Sequence, residues 1–96
     1  MGIQEVLQAK RIEILAIATR HGVRTIRVFG SVARGDATDK SDVDFLIEAG
    51  PKVTPWFPGG LVSDLETLLG RRVDVVTVKG LHPYLKDKVL KEAVAL

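Results

Sequence analysis

The sequence predicts an α/β fold: a small mixed three-stranded, or slightly larger, sheet with helices packed on it. Three observations carry this. β-branched, largely apolar runs at residues 25–29, 43–47 and 73–78 read as strands. Amphipathic stretches before, between and after them read as helices. The link between the first two runs is too short for a crossover helix, so those strands pair antiparallel; the second and third have a full helix between them and can run parallel.

Each element has its own signals. Residues 4–21 read as one helix, with Leu7, Ile14, Leu15 and Ala18 on or near one face and Gly22 as its stop. The strand at 25–29 ends at Gly30-Ser31, and 32–35 forms a short helical turn closed by Gly35. The polar stretch 36–41 is a loop. The next strand, 43–47, is apolar enough to be central. A proline-bearing loop at 50–60 precedes a helix at 61–69, whose apolar face is Leu61, Leu65, Leu68 and Leu69 and whose end is Gly70. Pro83 suits the first turn of a last helix over 83–93.

With 96 residues the chain is expected to be one domain, 1–96. A chain this short buries about 60–65% of the surface its unfolded form exposes, so one modest core is the ceiling. An enzyme of this size needs a partner or a second copy to hold its second substrate. No apolar run approaches the roughly 20 residues that span a bilayer. Met1-Gly2-Ile3-Gln4-Glu5 lacks the blocks of a signal peptide, so the expected location is cytoplasmic, with no membrane association. The absence of cysteine excludes disulfides and thiolate metal sites. The net charge of +2 is spread out; Arg71-Arg72 and Lys86, Lys88 and Lys91 read as solvated faces, and no direct nucleic-acid binding is expected.

Chemistry concentrates in three aspartates. Asp42 and Asp44 are two apart at the start of the second strand, a spacing that points both side chains the same way, about 6.5–7 Å apart. Asp74 lies one residue into the third strand, among valines, and neighbouring strands would set it beside the first two. Three carboxylates on one face repel and call for cations; Mg²⁺ suits them, keeping waters and borrowing phosphate oxygens. Two such ions about 3.5–4 Å apart clamp the attacking and leaving oxygens of a phosphoryl transfer. The competing reading makes Asp42 a cap, Asp44 exposed and Asp74 a partner of Arg71 or Arg72. Upstream, Gly30-Ser31 allows a phosphate close to the backbone, offers amides at the start of a helical turn and adds a hydroxyl. An antiparallel pair brings those donors to the carboxylates.

Gly30-Ser31, ten residues, then Asp42-Val43-Asp44 resembles the signature of the DNA polymerase beta-like nucleotidyltransferases. The stretches Phe29-Gly30-Ser31-Val32-Ala33-Arg34-Gly35 and Ser41-Asp42-Val43-Asp44-Phe45-Leu46-Ile47 resemble the minimal nucleotidyltransferase family. So do Leu69-Gly70-Arg71-Arg72-Val73-Asp74-Val75-Val76 and Val89-Leu90-Lys91-Glu92-Ala93-Val94. The resemblance covers about residues 5–96; Phe45 stands where leucine is more usual. It implies a polymerase beta-like palm in which Gly30 and Ser31 hold a nucleoside triphosphate. Asp42 and Asp44 ligate Mg²⁺, expected as two ions, while Asp74 completes the metal site and helps activate the acceptor hydroxyl. Arg34 either contacts phosphate or pairs with Asp36 or Asp39. Lys40 and Ser41 border the site, with Ser41 turning the chain into the strand.

The resemblance also implies an antitoxin of a two-protein toxin–antitoxin module. Such an antitoxin transfers AMP from ATP to a tyrosine hydroxyl of a HEPN-domain ribonuclease toxin; the thin core and the apolar Trp56-Phe57 loop suit a homodimer or a hetero-oligomer with the toxin. Two alternatives stand beside it: an antitoxin that only masks the toxin, and a subunit that adenylylates an aminoglycoside-type small molecule. The remaining candidates point elsewhere. His21 and His82 read as helix-end or surface residues. Trp56-Phe57 can stack an adenine, cover the core or meet a partner, and Tyr84 is a weak candidate for self-modification.

Overall fold

The structure, a computed structural model, describes residues 2–96. Its elements run α1 (Ile3–Ala9), α2 (Arg11–Arg20), β1 (Val23–Phe29), α3 (Gly30–Arg34), β2 (Val43–Ala49), α4 (Gly59–Leu69), β3 (Val73–Thr77), α5 (Pro83–Glu92) and β4 (Val94–Ala95). The sheet order is β3-β2-β1-β4. β1 and β2 are antiparallel and β2 and β3 parallel, as their connections require.

β2 is central, and its alternation divides the molecule. Val43, Phe45 and Ile47 are fully buried and join the hydrophobic core. That core is completed by Ile14 and Ala18 from α2 and by Leu61 and Leu65 from α4. Asp44, Leu46 and Glu48 point to the opposite face by the two-residue period of a strand. One strand therefore supplies both the packing and the chemistry.

Two elements differ from the sequence reading. The helix expected over 4–21 is two helices, broken at Lys10, whose ψ of 14° leaves the helical region. The apolar periodicity runs through the break and conceals it. The bend lets α1 bury Leu7 and lets Gln4 Nε2 donate to the Val32 carbonyl at 2.8 Å, bracing α3 from below. β4 is a fourth strand that pairs antiparallel with β1 through Arg27↔Ala95 and Val28↔Val94. Two residues carry no alternation to read. Among the described residues no helix is long and apolar enough to cross a membrane.

Candidate active site

β1 hands the chain directly to α3, and the junction is Gly30. Its φ of +73° lies in the left-handed region that favours glycine. Space imposes a second requirement. A Cβ built at Gly30 collides with Asp44 Oδ2, because Phe29 and Asp44 are register partners on the antiparallel pair. The Gly-Ser turn and the aspartate of the next strand are thus one packed unit. Gly35, at φ +83°, ends α3.

Asp44 and Asp74 are register partners on parallel β2 and β3, so they stand side by side on the face opposite the core residues Val43, Phe45 and Ile47. Asp42 precedes β2 by one residue and lies opposite Arg72, whose carbonyl accepts from Val43 N at 3.0 Å. The loop before it is tightly set. Ser41 Oγ accepts from Thr38 N at 2.9 Å, so Ser41 does turn the chain into β2. Arg71 Nη1 donates to the carbonyls of Thr38 and Ser41 at 3.3 and 3.2 Å. Glu66 Oε2 accepts from Val73 N at 3.0 Å and fixes the start of β3. Arg71 is therefore a brace for the loop rather than a partner of Asp74. Arg72 approaches Asp42 at 3.9 Å while largely exposed, a contact of little energy.

The electrostatics single out Asp44. Burial raises its pKa above the ordinary carboxylate value, and the charges of Asp74 and Asp42 push it further up; Arg34 opposes them. A carboxylate squeezed by two like charges is a group short of a cation. The donor set, all carboxylate oxygen, suits a hard divalent ion. Among the described residues no three histidine or acidic side chains are gathered tightly enough to cage a metal unaided.

Of the alternatives open for Arg34, the structure shows the pairing with Asp36 and adds Glu92. Arg34 contacts Asp36 at 3.4 Å, and its Nη1 donates to Glu92 Oε1 at 3.0 Å. Its pKa is raised, chiefly by the Glu92 hydrogen bond and then by Asp36. In the sequence Glu92 figures only in the C-terminal resemblance and Lys88 only as part of a solvated face; neither is assigned to the site. Both line an open pocket of about 420 Å³ with Gly30, Ser31, Arg34 and Asp44. Glu92 is 62 residues from Gly30 in sequence, and no local pattern signals the contact. A roomier hollow of about 610 Å³ lies between α2 and β1, away from the three aspartates.

The other candidates fall outside this site. His21 does sit at a helix end, but it is buried rather than at the surface. Nδ1 meets Thr54 Oγ1 at 2.6 Å and Nε2 meets Asp64 Oδ2 at 2.7 Å, so both ring nitrogens are satisfied. Thr54 ties the 50–58 loop to this end of the sheet, where Gly50 N donates to Gly22 O. The five residue steps from Ala49 back to Asp44 span roughly 17 Å. Trp56, almost fully exposed, belongs to this distant loop, and Phe57 packs against the core. Tyr84 is exposed and stacked on His82, whose Nδ1 caps α5.

Comparison with known proteins agrees with this geometry. The family model for the nucleotidyltransferase domain matches residues 12–96. The protein adenylyltransferase MntA of Thermococcus cleftensis is 40% identical over 94 residues, covering 96% of this chain and 90% of that protein. A solved structure described as a minimal nucleotidyltransferase superposes with a TM-score of 0.87 at 45% identity, covering 100% of this chain and 97% of the other. A mutant of the toxin–antitoxin MntA–HpeT superposes with a TM-score of 0.69 at 25% identity, over 93% of this chain and 70% of that one.

Proposed function

Since this chain belongs to the nucleotidyltransferase family, we propose that it transfers AMP from ATP to a tyrosine hydroxyl of a HEPN-domain ribonuclease toxin, as the toxin's antitoxin. The observation that carries the reading is the packing of Gly30 directly on Asp44, which joins a phosphate-binding turn to the carboxylate face. The name of the Thermococcus cleftensis relative and the toxin–antitoxin neighbour support protein as the acceptor and a toxin as the partner.

The residues divide the work. The amides after Gly30 and the Ser31 hydroxyl bind the triphosphate tail, and Arg34 adds charge to them. Asp42, Asp44 and Asp74 hold Mg²⁺, expected as two ions. When bound, Mg²⁺ supplies neutralising charge at the phosphates and at the attacking oxygen. Asp74, exposed on β3, faces the acceptor and takes up its proton. The tyrosine oxygen then bonds to the α-phosphorus, and the bond from that phosphorus to the β-phosphate bridging oxygen breaks, releasing pyrophosphate. The open pocket leaves room for a docked protein to close the site.

The test is to capture the native partner, add ATP and Mg²⁺, and take the intact mass of the partner. Gain of adenylyl mass with wild type and not with D42N/D44N is the expected result. A stable complex without a mass change in either would replace transfer by masking.

A further inference from the structure

We propose that Glu92 is an internal stand-in for nucleotide phosphate, a carboxylate latch that fills the phosphate turn until a polyphosphate displaces it. The inference rests on the nucleotidyl-transfer reading above and deepens it. One oxygen, Glu92 Oε1, accepts from Gly30 N at 2.6 Å and from Arg34 Nη1 at 3.0 Å. An amide at the start of a turn plus a guanidinium is the donor pair a phosphate oxygen would take. The side chain is only 16% exposed and lies inside the pocket that carries Ser31 and Asp44.

Apart from Lys88 on the same helix face, its surroundings disfavour a carboxylate there. Glu92 is the last residue of α5, where the helix dipole is unfavourable to negative charge. It adds to the like charge around Asp44. Its hydrogen bonds from Gly30 and Arg34 hold it. α5 itself has no buried residue, and β4 beyond it pairs over two residues. An element with so little packing opens at small cost. Lys88 lies one turn earlier on the same face of α5 and lines the same pocket. Withdrawal of Glu92 thus leaves the pocket with Arg34 and Lys88 and without their counter-charge. A ligand with several phosphate oxygens can replace the latch; one with a single phosphate gains little over the carboxylate it must expel. The latch makes the site selective for polyphosphates.

The experiment measures binding of ATP, AMP and inorganic triphosphate, at fixed Mg²⁺, to wild type and Glu92→Gln by calorimetry. Hydrogen exchange of residues 83–95 is followed on the wild type. The expected result is triphosphate and ATP bound about five- to thirtyfold more tightly by E92Q, with a smaller ATP-over-AMP preference. Wild-type residues 83–95 should lose protection when ATP is added. Affinity in E92Q that is unchanged or weaker overturns the latch, and so does ATP binding to wild type with 83–95 still protected. Failure of both proteins to bind any probe overturns the nucleotide reading, and the latch with it. The exchange measurement decides even if E92Q does not fold.

Discussion

The two ends of the β1–β2 ribbon each carry a polar cluster set against a glycine, and they are built on opposite terms. At one end His21 is buried, both ring nitrogens are hydrogen-bonded, and Asp64 is drawn to His21 and Arg20. At the other, Asp44 feels the like charges of Asp74 and Asp42, opposed by Arg34, and Asp42 has an exposed Arg72 at 3.9 Å. The first cluster lowers its carboxylate's pKa and the second raises it. A polar group kept for the fold is satisfied by the fold; one kept for chemistry is left wanting a ligand. The contrast separates structure from function better than burial does, since the buried histidine is the structural residue.

Breaking the functional end should produce the largest effect. D42N/D44N is expected to lower adenylyl transfer by at least about a thousandfold, the scale on which preorganised charge in a transition state acts. The same variant should melt no lower than wild type without ligand. A carboxyl whose pKa rises on folding binds its proton more tightly in the folded state, so its ionised form opposes folding at neutral pH. Removing the charge recovers that loss. Thermal melts and transfer assays on one preparation check both halves.

Breaking the structural end should do the reverse. His21→Ala leaves Thr54 and Asp64 without their partner and is expected to cost about 1–3 kcal/mol. In a domain of this size about 1 kcal/mol corresponds to roughly 4–8 °C in Tm. Transfer per folded molecule should stay at the wild-type level. Smaller still, Ser31→Ala removes one neutral donor to phosphate and should weaken ATP binding by about two- to tenfold, the worth of one hydrogen bond, with Tm unchanged. The smallest effect is a pH dependence. Asp64 is depressed by its hydrogen bond to His21 and then by Arg20, so its stabilisation is present above the ordinary carboxylate pKa of 3.8. It is lost as pH falls through the depressed value. The Tm difference between wild type and Asp64→Asn should hold at pH 5 to 6 and shrink in acid below the ordinary value.

The same contrast shows what the sequence makes legible. Asp42, Asp44 and Gly30-Ser31 were readable because strand alternation and a glycine turn are local, and the antiparallel pairing followed from the length of one loop. Asp74 was readable because a parallel neighbour places it in register. Glu92 was not: its partners are Gly30 and Arg34, and only docking of α5 brings them together. His21 reads as a helix-end or surface residue; it is at the helix end, and its burial is hidden because its partners, Thr54 and Asp64, arrive from a loop and a distant helix. The break at Lys10 was invisible because a helix bend leaves the apolar period intact. β4 was too short to show any. What the sequence conceals is tertiary pairing between polar groups, and both clusters depend on it.

The most direct test replaces Mg²⁺ with Mn²⁺ in the presence of ATP and follows relaxation at each backbone amide by NMR. The account predicts early broadening at Ser31, Asp44 and Asp74, sharp signals at His21, Thr54 and Asp64, and no selective broadening in D42N/D44N. Broadening centred on the His21 end, or a pattern unchanged in D42N/D44N, would contradict it.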